Sequence, residues 1–162
     1  MAVRQLKHIA LRDENVVKRH ADIEREITSA IADLLYDHDF APVNAGIPAP
    51  YNLVLGLEDH RLVMELRAEG REEMERITLG IQPLRSVIKS YFMVCESYYA
   101  AVKSSPGPSK IETLDAGRRG IHNEGAQLLR EMLQDKVALD HCTARRLFTL
   151  VAALHLGGWA NR

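Results

Sequence analysis

From Gln5 to Leu11 apolar and polar residues alternate loosely, which predicts a short strand. Asp13 to His20 is polar and reads as a connection. The period then changes. Ile23, Ile27, Ala30, Ile31, Leu34 and Leu35 recur at helical spacing, with Glu24, Arg25, Glu26 and Asp33 on the other side. This predicts an amphipathic helix of about 16 residues with one stripe against a core. It ends near Asp37-His38-Asp39, and the proline-rich segment Phe40 to Pro50 reads as a loop. A period of two follows three times, in Tyr51 to Glu58, Leu62 to Arg67 and Arg76 to Ile81, with Asp59-His60 as the first turn. Three short antiparallel strands that are apolar on one face need a second layer on that face, and helices must supply it.

Pro83 suits a helical first turn, where its missing N–H has no partner to lose. Leu84, Val87, Ile88, Tyr91, Val94, Cys95, Tyr98 and Val102 then make a stripe of about five turns. Ser104 to Pro108 interrupts it. Ser109 and Glu112 match a capping box, which predicts another helix from Ser109, carrying Ile111, Leu114, Ile121, Leu128, Leu129, Met132 and Leu133. Val137 to Leu139 is a candidate strand, and Asp140 a candidate N-cap for a last helix. That helix is apolar nearly all round from Leu147, which predicts a central position, and Gly157-Gly158 should end it. The fold class is therefore α+β, a small antiparallel sheet of three to four strands covered on one face by about four helices. The first strand should join the meander, all in one domain over residues 1–162.

Composition excludes several classes. Hydrophobic residues are 46% and charged residues 27% of the 162, which is globular rather than disordered, collagenous or disulfide-built. The net charge of -1 gives no global field for a polyanion. Cys95 and Cys142 form no C-x-x-C pair, and the seven histidines show no zinc-ligand spacing, so neither metal nor cofactor is called for. The first residues carry no apolar signal segment, and Leu147 to Leu156 is too short to span a bilayer. The expectation is a cytoplasmic protein.

Phosphate-loop, nucleophile-elbow, zinc-protease and dinucleotide fingerprints are all absent. One dense polar cluster stands out, Asp115 to Gly125, with three glycines inside a helical pattern. Each such glycine costs about 1 kcal/mol against alanine. Three readings compete for it. In a continuous helix, Gly117, Ile121 and Gly125 share a face for close packing, and Asp115 pairs with Arg119. Alternatively, Gly117-Arg118-Arg119-Gly120 resembles the GXXG loop of a KH domain, which clamps RNA. Finally, Arg118 to Leu129 resembles the phosphoacceptor box of a histidine-kinase subfamily, with Asn123 where that family has an acidic proton acceptor. In an enzyme or phosphotransfer protein His122 would act, with Glu124, Asn123 and Glu96 around it. Glu96 and Tyr99 can approach Arg118 or His122 if neighbouring helices pack antiparallel. Arg118, Arg119, Arg145 and Arg146 are candidate anion ligands, because guanidinium forks suit carboxylate and phosphate. The leading reading is a non-catalytic interaction or regulatory protein. Its partners are a protein or a second copy of the chain, a small anion, and neither membrane nor, in the main, nucleic acid.

Three blocks, Tyr91 to Tyr99, Gly117 to Gly125 and Thr143 to Leu150, together with Phe40 to Val43 and Asn52 to Arg67, carry a family resemblance. They resemble uncharacterised bacterial protein family 0262, found mainly in alphaproteobacteria, along nearly the whole chain. The resemblance implies a stand-alone bacterial protein and carries over no activity.

Overall fold

The meander forms as its alternation predicts. In the computed structural model, which describes residues 5–12, 21–44, 46–104 and 107–159, strands β3 (Tyr51–Glu58), β4 (Arg61–Ala68) and β5 (Met74–Gly80) pair antiparallel. Glu58 pairs with Arg61 across a two-residue turn, in which Asp59 and His60 both take positive φ, 48° and 64°. This is the sense of turn that matches strand twist. β1 (Leu6–Arg12) joins β3 as the outer strand, giving the order β1-β3-β4-β5. It runs parallel to β3, so the sheet is mixed. The cause is α1 (Ala21–Tyr36), which lies between the two strands in sequence and carries the chain back to the same end of the sheet. The polar connection at residues 13–20 lies outside the described residues.

Phe40–Pro42, expected as the start of a loop, is a short strand, β2. It pairs antiparallel with β6 (Val137–Leu139), so Phe40, almost fully buried, sits opposite Leu139. Ile9, Leu53, Leu55, Leu62, Met64, Leu66 and Ile77 make the sheet side of the core. On the opposite face Glu65 is buried and ion-paired with Arg12 at 2.6 Å. That hydrogen bond, against the opposing effect of burial, holds the Glu65 carboxyl below its usual range.

Helices α2 (Arg85–Ser104), α3 (Pro108–Leu133) and α4 (His141–Trp159) complete the second layer with α1. Pro83 stands in a short 3₁₀ turn, Gln82–Leu84, that leads into α2. α3 starts one residue before the predicted capping box. Gly107 is its N-cap and Pro108 its first residue, with no side-chain cap bond. Proline's fixed φ suits that position, so the box at Ser109 and Glu112 lies inside the helix. Asp140 does cap α4, its Oδ1 accepting the Thr143 N–H at 2.8 Å. α4 is central as expected: Leu147, Phe148, Leu150, Val151 and Ala152 are buried, and it packs on α1, α3 and β3. It continues through Gly157-Gly158 to Trp159, since a glycine pair permits a stop without forcing one.

His38, just past α1, is 2% exposed. Its Nδ1–H donates to the Leu34 carbonyl at 2.7 Å. Nε2 is then the acceptor, taking the backbone N–H groups of Gln5 and Leu6 at 3.0 Å each. One side chain thus ties the start of β1 to the end of α1.

Candidate functional site

α3 is continuous from Pro108 to Leu133, so the Gly117–Gly120 segment is helix and not a loop. Mid-helix N–H groups are already bonded within the helix and have nothing left to clamp a phosphate backbone. This corrects the KH-like reading of the segment. Gly125 has a packing reason: a Cβ there would lie 2.3 Å from the Phe148 ring of α4. Gly117 is nearly open and Gly120 has no atom within 4 Å of such a Cβ.

Arg118 is consumed by the fold. It bonds Asp115 at 2.7 Å, reaches Glu26 of α1 at 3.4 Å, and lies 4.7 Å above the Tyr98 ring. Tyr99 donates to the same Glu26 oxygen at 2.7 Å. The Arg118 hydrogen bond lowers the Asp115 pKa against the effect of burial. Burial raises the Tyr99 pKa, and the Glu26 hydrogen bond adds to it. Asp115 also pairs with Arg119 at 3.3 Å, the predicted i,i+4 contact on an exposed surface. Glu96, Asn123 and Glu124 are exposed, and none of them lines the depression that holds His122.

His122 is half-buried against the rings of Tyr91 and Phe148, with centroids at 5.3 and 5.8 Å. Its Nε2 lies 2.7 Å from the Arg145 carbonyl. A carbonyl only accepts, so Nε2 carries the hydrogen and Nδ1 the lone pair. The Thr149 hydroxyl stands 3.0 Å from Nε2 and donates to the same carbonyl at 3.3 Å. Burial lowers the His122 pKa, and the Arg145 carbonyl bond opposes this in part. The imidazole is therefore neutral near pH 7.

His122 forms the floor of a cavity of about 230 Å³ between α1, α3 and α4. α1 and α4 run antiparallel here. The Asp39 N–H meets Thr143 Oγ1, and Arg146 donates to the Asp37 carbonyl, both where α1 ends and α4 begins. α4 presents Cys142, Arg145, Arg146 and Thr149 to the cavity, and α1 presents Glu26, Ser29, Ala30 and Asp33. Each set is i, i+3, i+4, i+7, one face of a helix. Of the residues singled out by sequence, the cleft brings together His122, Arg145 and Arg146. Sequence reasoning missed its acidic wall. Glu26 and Asp33 were legible only as the polar side of an amphipathic helix. The Nε of Arg145 is buried and has no hydrogen-bond partner among the described residues. No group of three or more metal-ligating side chains occurs among those residues, and no helix there is long and apolar enough to cross a membrane.

The fold and cleft define a class: four helices packed through α1 and α4 on a small mixed sheet, with a two-stranded ribbon of β2 and β6 beside it and a charged crevice between helices. The chain belongs to the uncharacterised protein family UPF0262, whose model matches residues 3–157. It is 50% identical over 151 residues to a UPF0262 protein of Azorhizobium caulinodans, covering 93% of each chain. A UPF0262 protein of Erythrobacter litoralis is 45% identical, over 98% of this chain and 100% of its own. One from Paramagnetospirillum magneticum is 46% identical over 154 residues. No solved structure matches.

Proposed function

We propose that this is a non-catalytic cytoplasmic interaction or regulatory protein that recognises an anionic group in the α1/α3/α4 cleft. The observation that carries this is Arg145. It lines the cavity, and its Nε is buried with no hydrogen-bond partner among the described residues, while its carbonyl is occupied by His122 and Thr149. A buried guanidinium nitrogen with no acceptor costs free energy, so the Arg145 side chain is not held there by the fold's own hydrogen bonds through Nε. A carboxylate or phosphate in the cavity it lines would gain a charge-assisted hydrogen bond from the guanidinium. Arg146, on the same face, supplies a second fork. His122 acts as a neutral support that positions the Arg145 backbone. A catalytic role is disfavoured because Glu124, Asn123 and Glu96 do not accompany it into the cleft. The anion is a free small molecule, or an acidic side chain or carboxylate end on a protein partner or a second copy. Two free cysteines suit a reducing compartment.

The test is a titration with acetate and with inorganic phosphate at fixed ionic strength, followed by amide chemical shifts. Saturable shifts confined to α1, α3 and α4, absent in Arg145→Gln, support the reading. Shifts scattered over the surface, or unchanged in the variant, refute it.

A further inference from the structure

The cleft has two poles. α4 contributes Arg145 and Arg146, and its first turn adds the positive end of a helix dipole. α1 contributes Asp33 and Glu26, with the Ser29 hydroxyl between them. Opposite charges on facing helices would ordinarily close into salt bridges. Here no ion pair crosses the cleft among the described residues. Arg146 turns to the Asp37 carbonyl at 3.0 Å, and Glu26 is held from behind by Tyr99 and Arg118. The packing of α1 and α4 on a floor of His122 and Thr149 keeps the two walls apart.

A simple anion satisfies only one wall. Bound at Arg145, it would also displace water from Asp33 and face it with like charge, which costs affinity, whereas Glu26 is already paired with Arg118. A cation has the mirror problem at the arginines. A ligand with both charges a few bonds apart satisfies both walls. The cavity, about 230 Å³, is below the roughly 300–1,000 Å³ of sites for drug-sized ligands, so the ligand is small. We infer that the cleft binds a free α-amino acid, its carboxylate on Arg145 and Arg146 and its ammonium on Asp33 with Ser29. This inference rests on the anion-site reading above and narrows it to one class of ligand.

The experiment screens each of the twenty L-amino acids by thermal shift. It then compares the best binder by calorimetry with its deaminated acid and its decarboxylated amine. The expected result is saturable binding of the amino acid, with each analogue weaker by about tenfold or more, the effect of losing one charged partner. Asp33 is exposed, so Asp33→Asn should fold normally. It should erase the preference over the deaminated acid while leaving carboxylate binding in place. Arg145→Gln should abolish both. If the deaminated acid binds as tightly as the amino acid and Asp33→Asn changes nothing, the zwitterion inference fails and the anion site stands. If neither amino acids nor simple carboxylates bind, both fail.

Discussion

Replacing His38 by leucine should be among the most damaging single changes in this protein, although no sequence motif marks the residue. Leucine keeps approximate volume and removes every polar atom. It leaves the Gln5 and Leu6 N–H groups, each 3.0 Å from Nε2, without their acceptor, and the Leu34 carbonyl without the 2.7 Å bond from Nδ1. Leaving a buried polar group unsatisfied costs about 1–3 kcal/mol. Leu6 is buried, whereas Gln5 is only partly so and water can reach its N–H. Counting Leu6 fully, Gln5 at the low end and the helix-end carbonyl at little gives a loss of about 2–4 kcal/mol. That is a large fraction of the roughly 5–15 kcal/mol typical of a domain. Urea unfolding followed by circular dichroism measures it from the midpoint at constant slope. His38→Gln retains an acceptor oxygen and should recover part of the loss. Amide exchange at β1 should accelerate in His38→Leu more than exchange in β4. A loss below about 1 kcal/mol, or equal losses in the leucine and glutamine variants, would refute the assignment of Nε2 as the latch.

Three further outcomes are expected. Gly125→Ala drives a methyl into the buried Phe148 ring and should destabilise by about 1–3 kcal/mol, whereas Gly120→Ala meets open space and should stabilise by about 0.5–1 kcal/mol; melting temperatures of the pair check both signs. His122 has its pKa lowered by burial, so the unfolded chain takes up a proton near 6.5 before the folded one does. Its contribution is fully present above that pH and is lost as the pH falls through it; stability measured around pH 6.5 should slope upward with pH, and His122→Gln should flatten the slope. Glu65 is held low by its hydrogen bond to Arg12, so its contribution is present above about 4.5 and lost below, in a separate acid window. Glu65→Gln should remove that window and cost about 1 kcal/mol at neutral pH, modest because the Arg12 side chain is 34% exposed and solvent screens the pair. An unchanged acid unfolding profile in the variant would count against the pair.

Whatever depended on neighbours within a few turns was legible in the chain. The meander, the stripes of α1 and α2, the cap at Asp140 and the buried character of α4 all follow from period and local chemistry. Features that depend on distant partners were not. β2 has three residues and one of them is Pro42; only pairing with β6, at the other end of the chain, makes it a strand. The direction of β1 is set by where α1 returns the chain, which no alternation in Gln5 to Leu11 encodes. His38 is read as a helix-end residue because its acceptors and donors lie more than thirty positions upstream or inside its own helix. At the site, arginines and His122 stand out as polar residues in apolar surroundings. Glu26 and Asp33 do not, because an i, i+7 pair on a hydrophilic face is what any surface helix shows. Their role exists only once α1 lies antiparallel to α4.

The fold also divides the arginines that looked alike in sequence. Arg118 is surrounded by acceptors, Asp115 on its own helix and Glu26 on α1, and its plane covers Tyr98. Its removal would leave Glu26 and Asp115 half-satisfied inside a junction of three helices, so stability should fall with it. Arg145, on α4, has its carbonyl used by His122 and its Nε buried with no hydrogen-bond partner among the described residues. A guanidinium nitrogen buried there without an acceptor among the described residues is a cost to the folded chain. The dense Asp115–Gly125 cluster is therefore two things joined at His122. Its first half and Gly125 hold helices together, and His122 itself, bonded to the Arg145 backbone, fixes the wall of the cleft. A variant at Arg118 tests the bundle, and one at Arg145 tests the ligand. A net charge near zero reports on neither, because the charges that matter face each other across a gap.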